Sequence, residues 1–231
     1  MRLTQYGPVR AVLFDLDGTL LDTAADFHHC LQQLATELKL PQPDPRAVNQ
    51  TVSSGARALL QLLTGQDELA PEFPVHLQRL LSLYAEQIKH SQATLYSGMQ
   101  ELLADLQQRN LPWGIVTNKP EQYTLVLLQQ LGLSAECSLV ICPEQVRHCK
   151  PDPEPLLLAS QQLLLPSAHC IYIGDHPRDI LAARAAGMFS IAAAYGYLPP
   201  EPCISSWGAD LTVDSAEEIR NWLFSAAAAN S

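Results

Sequence analysis

Residues 9–22 read VRAVLFDLDGTLLD. A short apolar run, Ala11–Phe14, carries the chain straight into two carboxylates one residue apart, Asp15 and Asp17, with Gly18 and Thr19 directly behind them. Four apolar residues ending at a glycine turn match a buried strand. Two like charges about 4 Å apart repel by roughly 4 kcal/mol at an effective dielectric near 20. A strand that ends on such a pair therefore needs a counter-charge, unless the pair is a solvated turn.

Further short apolar runs at 114–116, 139–141, 171–173 and 190–194 read as buried strands, and Leu211–Val213 as a last one. Helical patterns lie between or after them, at Met99–Gln108, 121–131, 154–165, 179–186 and 216–224. Strands alternating with helices imply right-handed crossovers, hence an α/β fold with a mostly parallel sheet covered on both faces. The alternation is broken once, between Thr23 and about Gln92, where only helical periodicity is found. Phe27, Leu31, Leu34, Ala35 and Leu38 make one stripe, and Leu77, Leu80, Leu81, Tyr84 and Ile88 another. The turn-rich PQPDP at 41–45 separates the first helix from the next. The expected organisation is a core of residues 1–21 and 93–231, with a helical cap, 22–92, inserted over the carboxyl end of the first strand. A low-complexity tail, 225–231, is expected to fray.

The composition narrows the partners. The 231 residues carry a formal net charge of −10, and no basic run appears, which argues against nucleic acid or an anionic membrane surface. The six cysteines contain no C-x-x-C pair and read as idle thiols of a reducing compartment. Neither a secretory h-region nor a run of spanning length is present, so a cytoplasmic protein is expected, a monomer or homodimer acting on a small phosphorylated metabolite.

Ligands of open parallel sheets bind at the carboxyl ends of the strands. The first strand end offers Asp15 and Asp17; the second, WGIVTNK, offers Thr117 and Asn118; a loop after the third leads to Lys150; the fourth, IYIGDHPRD, offers Asp175 and Asp179. Carboxylates, a hydroxyl, an amide and an ammonium on one rim suit a divalent cation and a phosphate. Mg2+ takes one or two carboxylates with phosphate and water. Asp15, Asp175 and the backbone carbonyl of Asp17 are its expected oxygens, and Thr117, Asn118 and Lys150 the expected phosphate partners.

DLDGT, VTN, a lysine ahead of Pro-Asp-Pro, and GDxxxD resemble, in order, the four motifs of the haloacid dehalogenase (HAD) superfamily. The resemblance covers nearly the whole chain. It implies a Rossmannoid core with an inserted helical cap, Mg2+, Asp15 as a nucleophile that becomes an aspartyl-phosphate, and Asp17 as acid/base. VTNKP, KPDPEPLLLA, AAYGY and SSGARALL look like the phosphoglycolate phosphatase subgroup. WGIVTNKP, LVICPEQV and WGADLTVD look closer to bacterial phosphatases that recycle a phosphorylated cell-wall sugar. One departure stands out: His176-Pro177 follow Gly174-Asp175, where a small polar or acidic residue is usual, and His176 is expected to be an exposed loop histidine. Asp179 is expected to orient neighbours. Arg57, after the turn at Gly55, is expected to contact substrate, and Lys119 either does the same or is a surface cation. Phosphomutase chemistry and a non-catalytic binding role remain the alternatives.

Overall fold

A computed structural model describes residues 8–225. In chain order its strands are β1 (Ala11–Phe14), β2 (Leu21–Asp22), β3 (Thr94–Leu95), β4 (Trp113–Val116), β5 (Val140–Ile141), β6 (Cys170–Gly174), β7 (Phe189–Ala193) and β8 (Leu211–Val213). The helices are α1 (Ala24–Leu38), α2 (Pro45–Val52), α3 (Ala56–Thr64), α4 (Phe73–Gln87), α5 (Met99–Gln108), α6 (Glu121–Gln130), α7 (Glu154–Gln162), α8 (Pro177–Ala185) and α9 (Ala216–Ser225). Six strands form one parallel sheet in the order β5-β4-β1-β6-β7-β8. β1 is central, pairing Phe14 with Ile115 on one side and Ile173 on the other.

Alternation along each strand builds two cores. Val12 and Phe14 face one side with Ile115, Ile171 and Ile173, beneath Met99, Leu102 and Leu106 of α5 and Leu127 of α6. Ala11 and Leu13 face the other with Val116 and Tyr172, beneath Leu156 of α7 and Ala182 of α8. Burying a side chain the size of Leu or Phe contributes about 1.5–3 kcal/mol, so both faces hold β1 in place. All six cysteines are free.

Between β1 and β4 the chain leaves the sheet and forms α1 to α4. Phe27, Leu31 and Leu34 of α1 pack with Val48, Leu59, Leu60, Leu80, Leu83 and Tyr84 in a separate hydrophobic cluster. Leu77 and Leu81 are only partly buried. The chain enters and leaves this block through β2 and β3, a two-residue antiparallel pair joining Leu21 to Leu95 and Asp22 to Thr94. This pair is absent from the sequence reading, since two residues are too few to display a period of two. α7 ends at Gln162, short of the expected 165, because Leu164 takes a left-handed conformation (φ 57°). Ser225 closes α9, and the rest of the expected tail, 226–231, lies outside the described residues.

Candidate active site

The turn after β1 needs glycine. Asp15 N–H extends the ladder to Ile173 O at 2.8 Å, and the chain then folds back so that Gly18 N–H reaches Leu21 O at 2.9 Å. Gly18 has φ +81°, and a Cβ there would lie 2.0 Å from Asp175 Oδ2. A Cβ on Gly196 would lie 2.2 Å from Gly18 O. Only backbone fits between β1, Asp175 and the loop after β7.

Asp15, Asp175 and Asp179 converge at the ends of β1 and β6. They are buried, with one oxygen of each lying within 4.8 Å of the others. Among the described residues Lys150 provides the one ammonium that meets this group: Nζ lies 2.9 Å from Asp15 Oδ1 and 2.8 Å from Asp179 Oδ1. It also donates to Tyr172 OH at 2.6 Å and Val116 O at 3.0 Å, so four acceptors share three protons. Leu16 N–H donates to the same Asp15 Oδ1 at 2.7 Å. Asp15 Oδ2 is thereby left without a partner among the described residues.

The electrostatics follow from burial. Desolvation pushes the Asp15 carboxyl up to about 6, against the pull of Lys150. Asp175 is raised well above the usual carboxylate range by burial and then by Asp15 and Asp179. Burial works against the charge on Lys150, but Asp15 and Asp179 outweigh it and raise its pKa. Three buried carboxylates facing one ammonium form an under-compensated acidic cluster, and its all-oxygen donor set fits a hard divalent cation.

Asp17 stands apart from these three acids and has its own lysine. Its Oδ1 accepts from Thr23 Oγ1 at 2.6 Å and from Lys119 Nζ at 2.9 Å. Lys119 is buried, with its ammonium 4.7 Å above the Tyr84 ring and 5.1 Å from that of Phe27. The reading of Lys119 as a surface cation gives way here to a buried ion pair that links β4's loop to Asp17. Their separation of 102 residues leaves no local signal for it.

Other expected residues take specific places. Thr117 is buried, its Oγ1 accepting from Lys119 N–H at 3.1 Å. Both side-chain atoms of Asn118 are taken by the backbone of Lys150, at 2.9 Å and 3.2 Å, so Asn118 fixes the lysine's loop. Gly55 has φ +88° and starts α3, and Arg57 in that helix pairs with Glu68 at 3.1 Å with most of its side chain exposed. His176 corrects expectation: it is the N-cap of α8, half-buried. Its backbone N–H donates to Asp179 Oδ2 at 3.0 Å and its Nδ1 accepts from Arg178 N–H at 3.3 Å. Burial, then the charge of Arg178, lowers its pKa to about 4. Pro177 fits the first helical position, where a missing N–H is harmless.

Two residues escaped sequence reading. Ser53, at the end of α2, donates to Asp175 Oδ2 at 2.9 Å and so ties the helical block to the acidic cluster. Tyr197 N–H donates to the same oxygen at 2.8 Å, while its hydroxyl accepts from Thr23 N–H and Ala24 N–H at the start of α1. The Ser53 contact spans 122 residues and those of the Tyr197 hydroxyl 174 and 173, beyond any periodicity. A cleft of about 710 Å³ opens between block and sheet, lined by Asp15, Asp17, Thr117 and Lys119 on the sheet side and by Phe27, Tyr84, Leu77 and Arg57 on the other. That volume lies within the range of small-molecule sites.

A central β1 ending on paired aspartates, with Lys150 and the β6 acids beside it, is the arrangement of a HAD-like hydrolase, and residues 12–193 match the family model of haloacid dehalogenase-like hydrolases. The chain belongs to that family. It is 44% identical over 219 residues to the N-acetylmuramic acid 6-phosphate phosphatase of Pseudomonas putida, covering 94% of this chain and 97% of the other. It is 39% identical over 216 residues to the phosphoglycolate phosphatase of Xanthomonas campestris, covering 91% and 94%. The crystal structure of a predicted phosphoglycolate phosphatase from Haemophilus somnus superposes with a TM-score of 0.81 at 25% identity, over 91% of this chain and 96% of that one. The protein is a phosphatase, a phosphoric monoester hydrolase. No described helix is long and apolar enough to cross a membrane.

Proposed function

We propose that the protein hydrolyses N-acetylmuramic acid 6-phosphate through an aspartyl-phosphate on Asp15, with α1 to α4 acting as a cap. The observation that carries the chemistry is Asp15 itself: one carboxylate oxygen is held by Lys150 and Leu16 N–H, and the other is free at the cleft. Asp15 Oδ2 attacks phosphorus as the bond from phosphorus to the sugar oxygen breaks, and Asp17, having taken up a proton from solvent as substrate binds, gives it to that oxygen. Asp17, now a carboxylate, takes a proton from the water that attacks the aspartyl-phosphate, releasing phosphate and restoring Asp15. Thr117 Oγ1 has a proton to donate to a phosphoryl oxygen. Lys150 and Asn118 hold the rim rigid around it. Asp15 and Asp175, with Asp179 beside them, would hold Mg2+, which supplies positive charge against the phosphoryl oxygens.

The size and lining of the cleft support a sugar. A two-carbon acid would leave most of about 710 Å³ empty, whereas the Phe27, Leu77, Leu81, Tyr84 and Tyr123 walls suit the faces of a hexose. Hydrolysis of 2-phosphoglycolate is the second reading, favoured by the relatives that carry that name. Phosphate release from the two substrates, assayed side by side with Mg2+, decides between them. A much larger kcat/KM for 2-phosphoglycolate overturns the sugar reading. Asp15→Asn is expected to abolish turnover while leaving the circular dichroism spectrum and melting transition in place; substantial residual activity would remove Asp15 as nucleophile.

A further inference from the structure

Among the described residues three cationic side chains line the cleft: Arg57, Lys119 and Arg178. Two of them already face an acid, since Arg57 pairs with Glu68 at 3.1 Å and Lys119 with Asp17 at 2.9 Å. Lys150 is not among the lining residues, and its side chain is fully buried. Arg178 has no carboxylate partner among the described residues. Its hydrogen bonds run instead to an imidazole: Nε donates to His176 Nδ1 at 3.0 Å, and Nη2 lies 3.4 Å from His176 Nε2. The imidazole therefore fixes the guanidinium without neutralising it, and Nη1 is left without a partner among the described residues.

Guanidinium groups pair with carboxylate or phosphate through parallel N–H donors, and a cation held in a cleft with no counter-ion is a site for an anion. The root of the side chain is rigid as well, because Arg178 sits in the first turn of α8, one residue before Asp179. We propose that Arg178, positioned by His176, binds a carboxylate of the substrate, so that the enzyme selects phosphomonoesters that also carry a carboxylic acid. The inference rests on the cleft being the phosphatase site and deepens that reading. The phosphoryl group has its partners at the strand ends around Asp15 and Thr117, whereas Arg178 reaches the cleft from α8. Both substrates considered above meet the requirement: one has a lactyl carboxylate on the sugar, the other a carboxylate on its two-carbon backbone.

The test is kcat and KM for the wild type and Arg178→Met on N-acetylmuramic acid 6-phosphate and on N-acetylglucosamine 6-phosphate, which has the same sugar phosphate without the lactyl acid. Losing one charge-assisted contact should lower kcat/KM for the acid about 10- to 100-fold, mainly through KM. The neutral sugar should change less than about threefold, within the spread of ordinary surface substitutions. His176→Asn, which keeps an N-cap residue, should raise KM for the acid alone and leave kcat in place. Equal losses on both sugars would assign Arg178 to the phosphoryl group and overturn the proposal; no loss on either would also overturn it. If the wild type hydrolyses neither sugar, the sugar reading fails separately. The same comparison is then made with 2-phosphoglycolate and ethyl phosphate, with the same expected and overturning outcomes. A thermal melt of each variant separates loss of fold from loss of recognition.

Discussion

Asp15 and Asp17 are adjacent in chemistry yet compensated separately, one by Lys150 and the other by Lys119. The repulsion inferred from their spacing is thus answered in part by two separate ammonium groups, Lys150 shared with Asp179 and Lys119, before any bound cation is considered. Removing one member of a buried pair leaves the other uncompensated, which costs more than removing both. Lys119→Met is expected to destabilise the protein by roughly 2–3 kcal/mol, the upper range for hydrogen bonds to charged groups. Asp17→Asn added to that variant should recover most of the loss. Urea unfolding of the two single variants and the double variant measures the coupling, and strictly additive costs would refute the private-pair account.

At the scale of elements, the aromatic wall of the cleft joins α1, α4 and α6. The Tyr84 ring stacks on Phe27 with centroids 4.4 Å apart and meets Tyr123 edge-on at 5.2 Å. Its hydroxyl is buried and finds no hydrogen-bond partner among the described residues. Tyr84→Phe keeps every ring contact and removes an unsatisfied polar atom, so stability should stay level or rise by about 1 kcal/mol. A loss above that size in a thermal or urea melt would show that the hydroxyl is satisfied in solution. The same elements show what a sequence reveals and conceals. β1, β8 and α5 were legible to the residue, because buried runs and helical stripes are local signals. The strand-end positions of Asp15, Lys150 and Asp175 followed from topology. Lys119 on Asp17, Ser53 on Asp175 and the hydroxyl of Tyr197 at the start of α1 were not legible: the first joins two strand-end loops 102 residues apart, and the other two depend on how the helical block docks on the sheet. His176 was misjudged because a loop histidine and an N-cap histidine have the same local pattern.

For the whole molecule, an acidic chain of net charge −10 binds anionic substrates only through local fields. The three buried acids at the ends of β1 and β6 give those fields a place for a cation, so Mg2+ should stabilise the folded state and not the unfolded one. At a concentration 100 times its dissociation constant, the gain is about 2.7 kcal/mol. For a chain of this size that amounts to a rise in melting temperature of roughly 5–10 °C. Asp175→Asn should lose this rise, as should wild type with excess chelator. An unchanged melting temperature in saturating Mg2+ would speak against the three-acid site.

The pairing of β1 with β6 also has a meaning in time. Asp15 leaves the ribosome ahead of β6, and Thr19 Oγ1, in the turn beside it, waits for a partner on Asp175, 156 residues later. Chains are made from the amino end, and contacts of such separation form only once both ends exist. Until Cys170–Gly174 emerges, β1 has one open edge and the acidic cluster has one of its three members. The helical block and β4, made in the interval, can bury one side of that strand first. The acidic cluster is therefore completed only once β6 and the turn after it have been made, and until then Asp15 stands without Asp175 and Asp179.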